Sequence, residues 1–118
     1  MGLTRVRIRV GNPADASRSA ELEFMVDSGA VYTVVPGKIL SALGVVPHSR
    51  REFILANGEV VHRSIGTATF EYRETRGDSL AIFGEPGDAA LLGATTLEGF
   101  GLILDPFRRE LKPLPMLL

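Results

Sequence analysis

The segment with the clearest chemical capacity is Phe24-Met25-Val26-Asp27-Ser28-Gly29-Ala30. An apolar run with strand character leads into a carboxylate, then a hydroxyl, then a glycine. A carboxylate at a strand end can be held by a tight turn, with neighbouring N–H groups and a hydroxyl to hydrogen-bond it. Such bonds favour the charged form of a carboxylate even where solvent is scarce. Gly29 allows a backbone conformation, and a closeness of approach, that a Cβ would block. The chemistry open to a carboxylate so placed is general acid–base work. An ordinary Asx turn, with Asp27 bonding its own backbone, accounts for the same residues.

Other reactive groups are poorly grouped. His48 and His62 lie in different segments without metal-ligand spacing, and the chain has no cysteine, so no metal site is expected. Ser28 has no evident histidine partner and no G-x-S-x-G setting, which speaks against a serine hydrolase. Gly84-Glu85-Pro86-Gly87-Asp88 lacks the Lys-Ser/Thr ending of a phosphate loop. Arg50-Arg51 and Arg108-Arg109 read as solvated basic pairs.

The elements that must carry Asp27 follow from alternation of period two. Thr4 to Val10 places Val6, Ile8 and Val10 on one face of a strand. Gly11 to Arg18 reads as a polar hairpin loop. Leu22, Phe24 and Val26 alternate again, with Glu21 and Glu23 set to face the N-terminal arginines across the hairpin. Val31 to Val35 is a short strand. Pro36-Gly37-Lys38 opens a helix over Ile39–Leu43, closed by Gly44. Arg51–Leu55 and Val60–Val61 form a hairpin around Ala56-Asn57-Gly58-Glu59, and Asn-Gly predicts a type I′ turn. Its second arm runs on through Ile65 to Tyr72. Arg73 to Asp78 reads as a polar turn, and Leu80–Phe83 as a buried strand. Ala94–Phe100 is a second helix with Thr95 or Thr96 as its cap. Leu102–Leu104 is a last core strand, and Leu111–Leu118 an apolar, proline-broken tail suited to packing on the core or at a dimer interface.

Composition narrows the class. The 118 residues are 45% hydrophobic, enough for one domain that buries about two-thirds of its unfolded surface. Zero cysteine excludes disulfides and thiolate chemistry. Thirteen basic and 14 acidic residues leave a net charge of −1, so a nucleic-acid partner is not favoured. No run approaches the roughly 20 apolar residues of a membrane span. Arg5, Arg7 and Arg9 break any signal-peptide core, and Val6 stands where a myristoylation signal wants a hydroxyl. The expected location is the cytoplasm.

Val26-Asp27-Ser28-Gly29-Ala30, followed by Tyr32-Thr33-Val34-Val35-Pro36, resembles the active-site strand of the retropepsin-like (clan AA) aspartic proteases and the strand after it. The Asn57-Gly58 hairpin falls where that family has its flap. Ala90-Leu91-Leu92-Gly93, followed by Ala94-Thr95-Thr96-Leu97, is similar to the family's apolar-pair-plus-glycine signature before a helix. Leu102-Ile103-Leu104-Asp105 follows where a late core strand belongs. The likeness runs in order from about residue 4 to 112 and is closest to the small prokaryotic members. It implies one domain over 1–118, mostly β and closed like a barrel, with one or two short helices.

The resemblance also implies a reaction. Two carboxylates share one water; one acts as base while the other, protonated, polarises the scissile carbonyl. Such a pair titrates as a unit holding one proton, which favours mildly acidic pH. The chain has one Asp-Ser/Thr-Gly motif. A homodimer with Asp27 of each copy at the axis must therefore supply the second carboxylate. Ser28 would hydrogen-bond across the dimer, Gly29 and Ala30 would bond an extended peptide, and Ala56, Asn57 and Gly58 would close over it. Gly93 would allow close packing beneath the turn. No cofactor is needed. Two departures stand out: the flap tip is more polar than in retroviral members, and Val31 and Tyr32 replace the acidic residues those carry after the motif. An inactive peptide-binding or dimerisation module of the same fold stays open as an alternative, as does a structural subunit of a larger complex.

Overall fold

The computed structural model describes residues 4–27 and 29–115. The chain is mostly β. Strands β1 (Arg5–Asn12), β2 (Asp15–Val26) and β3 (Thr33–Pro36) precede helix α1 (Gly37–Ala42). Strands β4 (Ser49–Ile54), β5 (Val60–Tyr72), β6 (Thr75–Gly84) and β7 (Leu91–Leu92) follow. Helix α2 (Ala94–Phe100) and strands β8 (Leu102–Asp105) and β9 (Glu110–Pro113) complete the order.

The alternation in β1 does what its spacing demands. Val6, Ile8 and Val10 are buried while Arg5, Arg7 and Arg9 face solvent. Across the β1–β2 hairpin, Arg7 pairs with Glu21 at 3.2 Å and Arg5 with Glu23 at 3.8 Å. Pairs this exposed contribute at most about 1 kcal/mol, so apolar burial supplies the hairpin's stability.

Six strands close into a ring. The sheet order is β1-β2-β7-β3-β6-β5, and β5 returns to β1 through Arg9↔Glu71, Val10↔Phe70 and Gly11↔Thr69. Strand β4 extends from β5 outside the ring. Ile8, Val10, Phe24, Val35, Leu40, Phe70 and Leu92 fill the interior. Phe24 and Phe70 meet edge to face at 6.5 Å. Among the described residues, strands β8 and β9 pair only with each other, so Leu102–Leu104 belongs to a separate two-stranded sheet, sealed on the core by Leu102 and Leu111.

Three turns differ from the sequence reading, each for a local reason. Residues 11–18 are not an open loop: β1 and β2 run on to Asn12 and Asp15, leaving Pro13-Ala14 as the turn. The polar side chains that suggest a loop serve the hairpin itself. Asn12 Oδ1 accepts the Ala14 N–H at 2.8 Å, and Asp15 Oδ1 accepts the Ser17 N–H at 3.0 Å. Residues 73–78 shrink likewise to Arg73-Glu74, because Arg76 and Asp78 occupy the outer face of β6. The Asn57-Gly58 turn is not type I′. The Gly58 N–H bonds the Leu55 carbonyl at 2.8 Å, and of the tip residues only Gly58 has positive φ, at 86°. This is a type I turn with a glycine bulge.

Helix α1 ends as its glycine predicts. The Gly44 N–H bonds the Ser41 carbonyl and the Val45 N–H the Leu40 carbonyl, both at 3.0 Å. With Gly44 at φ 82°, this is a Schellman close. No helix of the described residues is long and apolar enough to cross a membrane.

Candidate functional site

Asp27 is suspended between neighbouring strands. The Val26 N–H bonds the Thr4 carbonyl at 2.8 Å, the Met25 N–H bonds that of Ala90 at 3.1 Å, and Asp27's own N–H bonds that of Leu92 at 3.0 Å. The chain then turns, with the Ala30 N–H on the Asp27 carbonyl and the Gly29 N–H on Asp27 Oδ1, each at 3.0 Å. The Asx turn is therefore real, and it also aims the carboxylate. Asp27 is exposed; among the described residues no donor other than Gly29 reaches its side chain. Ser28 lies outside the described residues.

Helix α2 braces this turn from below. The Ala94 N–H bonds the Ala30 carbonyl at 2.7 Å and the Thr95 N–H that of Val31 at 2.9 Å. These carbonyls satisfy the free donors of the helix's first turn. Neither threonine caps the helix: the N-cap is Gly93, with no side-chain cap. Thr96 turns inward instead. Thr33 Oγ1 accepts the Gly93 N–H at 2.9 Å and meets Thr96 Oγ1 at 2.6 Å, and Thr96 donates to Ser79 Oγ at 3.1 Å. Gly93 packs so closely that a Cβ there would lie 2.5 Å from the Tyr32 carbonyl carbon and oxygen.

The Thr33–Thr96–Ser79 chain is absent from a motif reading. Its signal is the polar Thr33 on the same strand face as Val35, which obliges a buried partner. Thr33→Val keeps the shape, strands the Gly93 N–H and takes one of the two hydroxyl partners from Thr96. The expected loss is about 2 kcal/mol, read by urea denaturation; unchanged stability would show the chain to be dispensable.

A groove of about 440 Å³ opens beside the turn. Ala30, Val31 and Tyr32 form one wall; Phe53, Leu55 and Val61 of the β4–β5 hairpin form the other. Tyr32 and Phe53 meet edge to face at 6.3 Å, and Arg51 Nη1 donates to the Tyr32 hydroxyl at 2.6 Å. These contacts pin the hairpin arm to the segment after Asp27. The tip residues Ala56, Asn57 and Gly58 are exposed and do not line the groove. Both backbone groups of Ala30 are engaged within the chain, so its contribution is to the wall, while among the described residues no donor bonds the Gly29 carbonyl.

One charged pair sits in this apolar lining. Arg63 on β5 grips Asp88 with two bonds, Nε–Oδ2 at 2.8 Å and Nη2–Oδ1 at 3.2 Å. The side chains are only 18% and 31% exposed. The Arg63 hydrogen bond holds the Asp88 carboxyl below its ordinary range against the opposing effect of burial, and the Glu85 N–H adds to it. Such a group adds stability above its unfolded pKa of about 3.9 and loses it as pH falls through the lower folded value. Asp88→Asn is expected to cost about 1 kcal/mol at neutral pH. The gap should hold down to about pH 5 and close below about pH 3.9. Asp15 and Asp105, also lowered, are common to both proteins and cancel. A gap that persists in strong acid would assign the effect to packing.

The histidines stay apart: His48 bonds Ser49 and Thr67, and His62 faces Glu52 at 3.6 Å. Among the described residues no group of three or more acidic or histidine side chains is placed to hold a metal ion. No family model matches the chain, and no curated protein matches it.

Proposed function

We propose that this chain is an aspartic endopeptidase of the retropepsin-like type, active as a homodimer in which the two copies of Asp27 share one water. The observation that carries the reading is the setting of Asp27. An exposed carboxylate stands on a turn braced by two strands and a helix, three residues before Ala30, where the lining of an apolar groove walled by a hairpin begins. Bracing of this kind holds a general base in register with a bound amide. The groove is of a size to take an apolar side chain of an extended peptide, with the Gly29 carbonyl as acceptor for the peptide's backbone. The hairpin closes over it and sheds water.

Ser28 has the hydroxyl to tie the two turns across the axis, and the apolar tail offers dimer contact. Leu114 donates its N–H to the Gly101 carbonyl at 2.8 Å, while residues 116–118 lie outside the described residues. A second reading has its own support: the groove is complete within one chain and needs no partner, as a non-catalytic peptide-binding module would. Light scattering with a structure of any dimer separates the two. The protease reading requires the Asp27 carboxylates within a shared water's reach, and inhibition by a pepstatin-type mimic. A chain that stays monomeric at high concentration overturns it.

A further inference from the structure

A second groove, of about 560 Å³, shares no lining residue with the first. Arg5 and Arg7 reach it from β1, Arg73 from the β5–β6 turn, and Arg108 and Arg109 from the β8–β9 turn. Five arginines against Glu21 and Glu110 leave the lining strongly basic, in a chain whose net charge is −1. Its ion pairs are exposed. Arg7–Glu21, Arg5–Glu23 and Arg73–Glu110 span 3.2, 3.8 and 3.7 Å with every side chain more than a third exposed. Pairs of that kind yield readily to a better partner. Among the described residues, Arg108 and Arg109 form no ion pair. Asp105, at the foot of their turn, accepts the Arg108 backbone N–H and faces Lys112 at 3.8 Å.

The backbone adds an independent observation. Arg73 and Arg109, both at φ 54°, are the two described non-glycine residues in the left-handed region. Glycine or asparagine suits that region better, yet both positions carry a guanidinium, and both line this groove. The Arg73 guanidinium also lies 5.0 Å from the Tyr72 ring centroid, a stack that orients it in advance.

We propose that this groove binds an acidic polypeptide segment, in extended form, with Asp or Glu side chains set at intervals. Guanidinium forks match carboxylates with paired hydrogen bonds. Glu21 and Glu110 interrupt the basic lining, so a ligand charged at every unit, such as a nucleic acid strand, meets repulsion at two points. A peptide can place neutral residues there. The proposal does not depend on Asp27.

The test is an anisotropy titration of the full chain with a fluorescein-labelled peptide of alternating Glu and Ser residues, at neutral pH and low salt. The expected result is saturable binding that weakens as salt rises. Arg108→Glu with Arg109→Glu should weaken it about tenfold or more, while Arg50→Glu on β4 changes it less than about twofold. Arg73→Gly with Arg109→Gly should lower affinity while Tm holds or rises, which separates lost contacts from unfolding. Absent binding, equal binding by all variants, or displacement of the peptide by a lower concentration of single-stranded oligonucleotide would overturn the proposal.

Discussion

Asp27→Asn is expected to lower peptide cleavage by about 10³-fold or more, the scale of losing a positioned general base. In the proposed dimer one sequence supplies both copies, so the substitution removes both carboxylates at once. The fold should survive. Asn retains an Oδ1 to accept the Gly29 N–H that Asp27 accepts at 3.0 Å, so the stability change should stay within about 1 kcal/mol. Dimerisation should persist or strengthen, since in the proposed dimer the substitution removes two like charges from the axis. Mixing sharpens the result. If a site needs one carboxylate from each copy, an equal mixture of wild-type and variant chains, allowed to exchange, keeps about a quarter of the activity. A site complete in one chain keeps about half. Peptidase assays across the mixing series check this; normal cleavage by the pure variant would end the catalytic assignment.

How far the sequence reaches toward this site is set by the range of the interactions involved. Strands announce themselves where one face is buried and the other wet, as in Val6, Ile8 and Val10 against their arginines. The same rule misleads at 11–18 and 73–78, where both faces of a hairpin end meet solvent and a strand becomes as polar as a loop. Asp27 is legible because its turn is local: carboxylate, glycine and acceptor lie within three residues. The Thr33–Thr96 contact joins residues 63 apart. The groove takes walls from the segment after Asp27, from both hairpin arms and from β6 and β7, and the arginines of the second groove come from β1 and two separate turns. No short window of sequence contains such a site, because the ring closure of β5 on β1 has to form first.

Gly93→Ala is expected to be the most damaging single methyl in the neighbourhood of Asp27. The added carbon would lie 2.5 Å from the carbon and oxygen of the Tyr32 carbonyl and 3.0 Å from the Thr33 nitrogen, all of them backbone. No side chain can swing away to relieve this. Backbone conformation is not the obstacle, since Gly93 sits at φ −95° and ψ 172°, where alanine is comfortable. The penalty is therefore steric, about 3 kcal/mol, or a fall in Tm of about 10 °C. Relief would push the Tyr32–Thr33 segment from β7. That movement strains the Gly93–Thr33 bond and the Ala94–Ala30 bond, at 2.9 and 2.7 Å, and with them the turn that aims Asp27. Gly99→Ala supplies the control. It lies in the same helix, a Cβ there meets nothing within 4 Å, and alanine should add up to about 1 kcal/mol. Chemical denaturation of both variants reads the contrast. Equal stability of Gly93→Ala and wild type would mean that the helix does not press on the turn as tightly as these distances require.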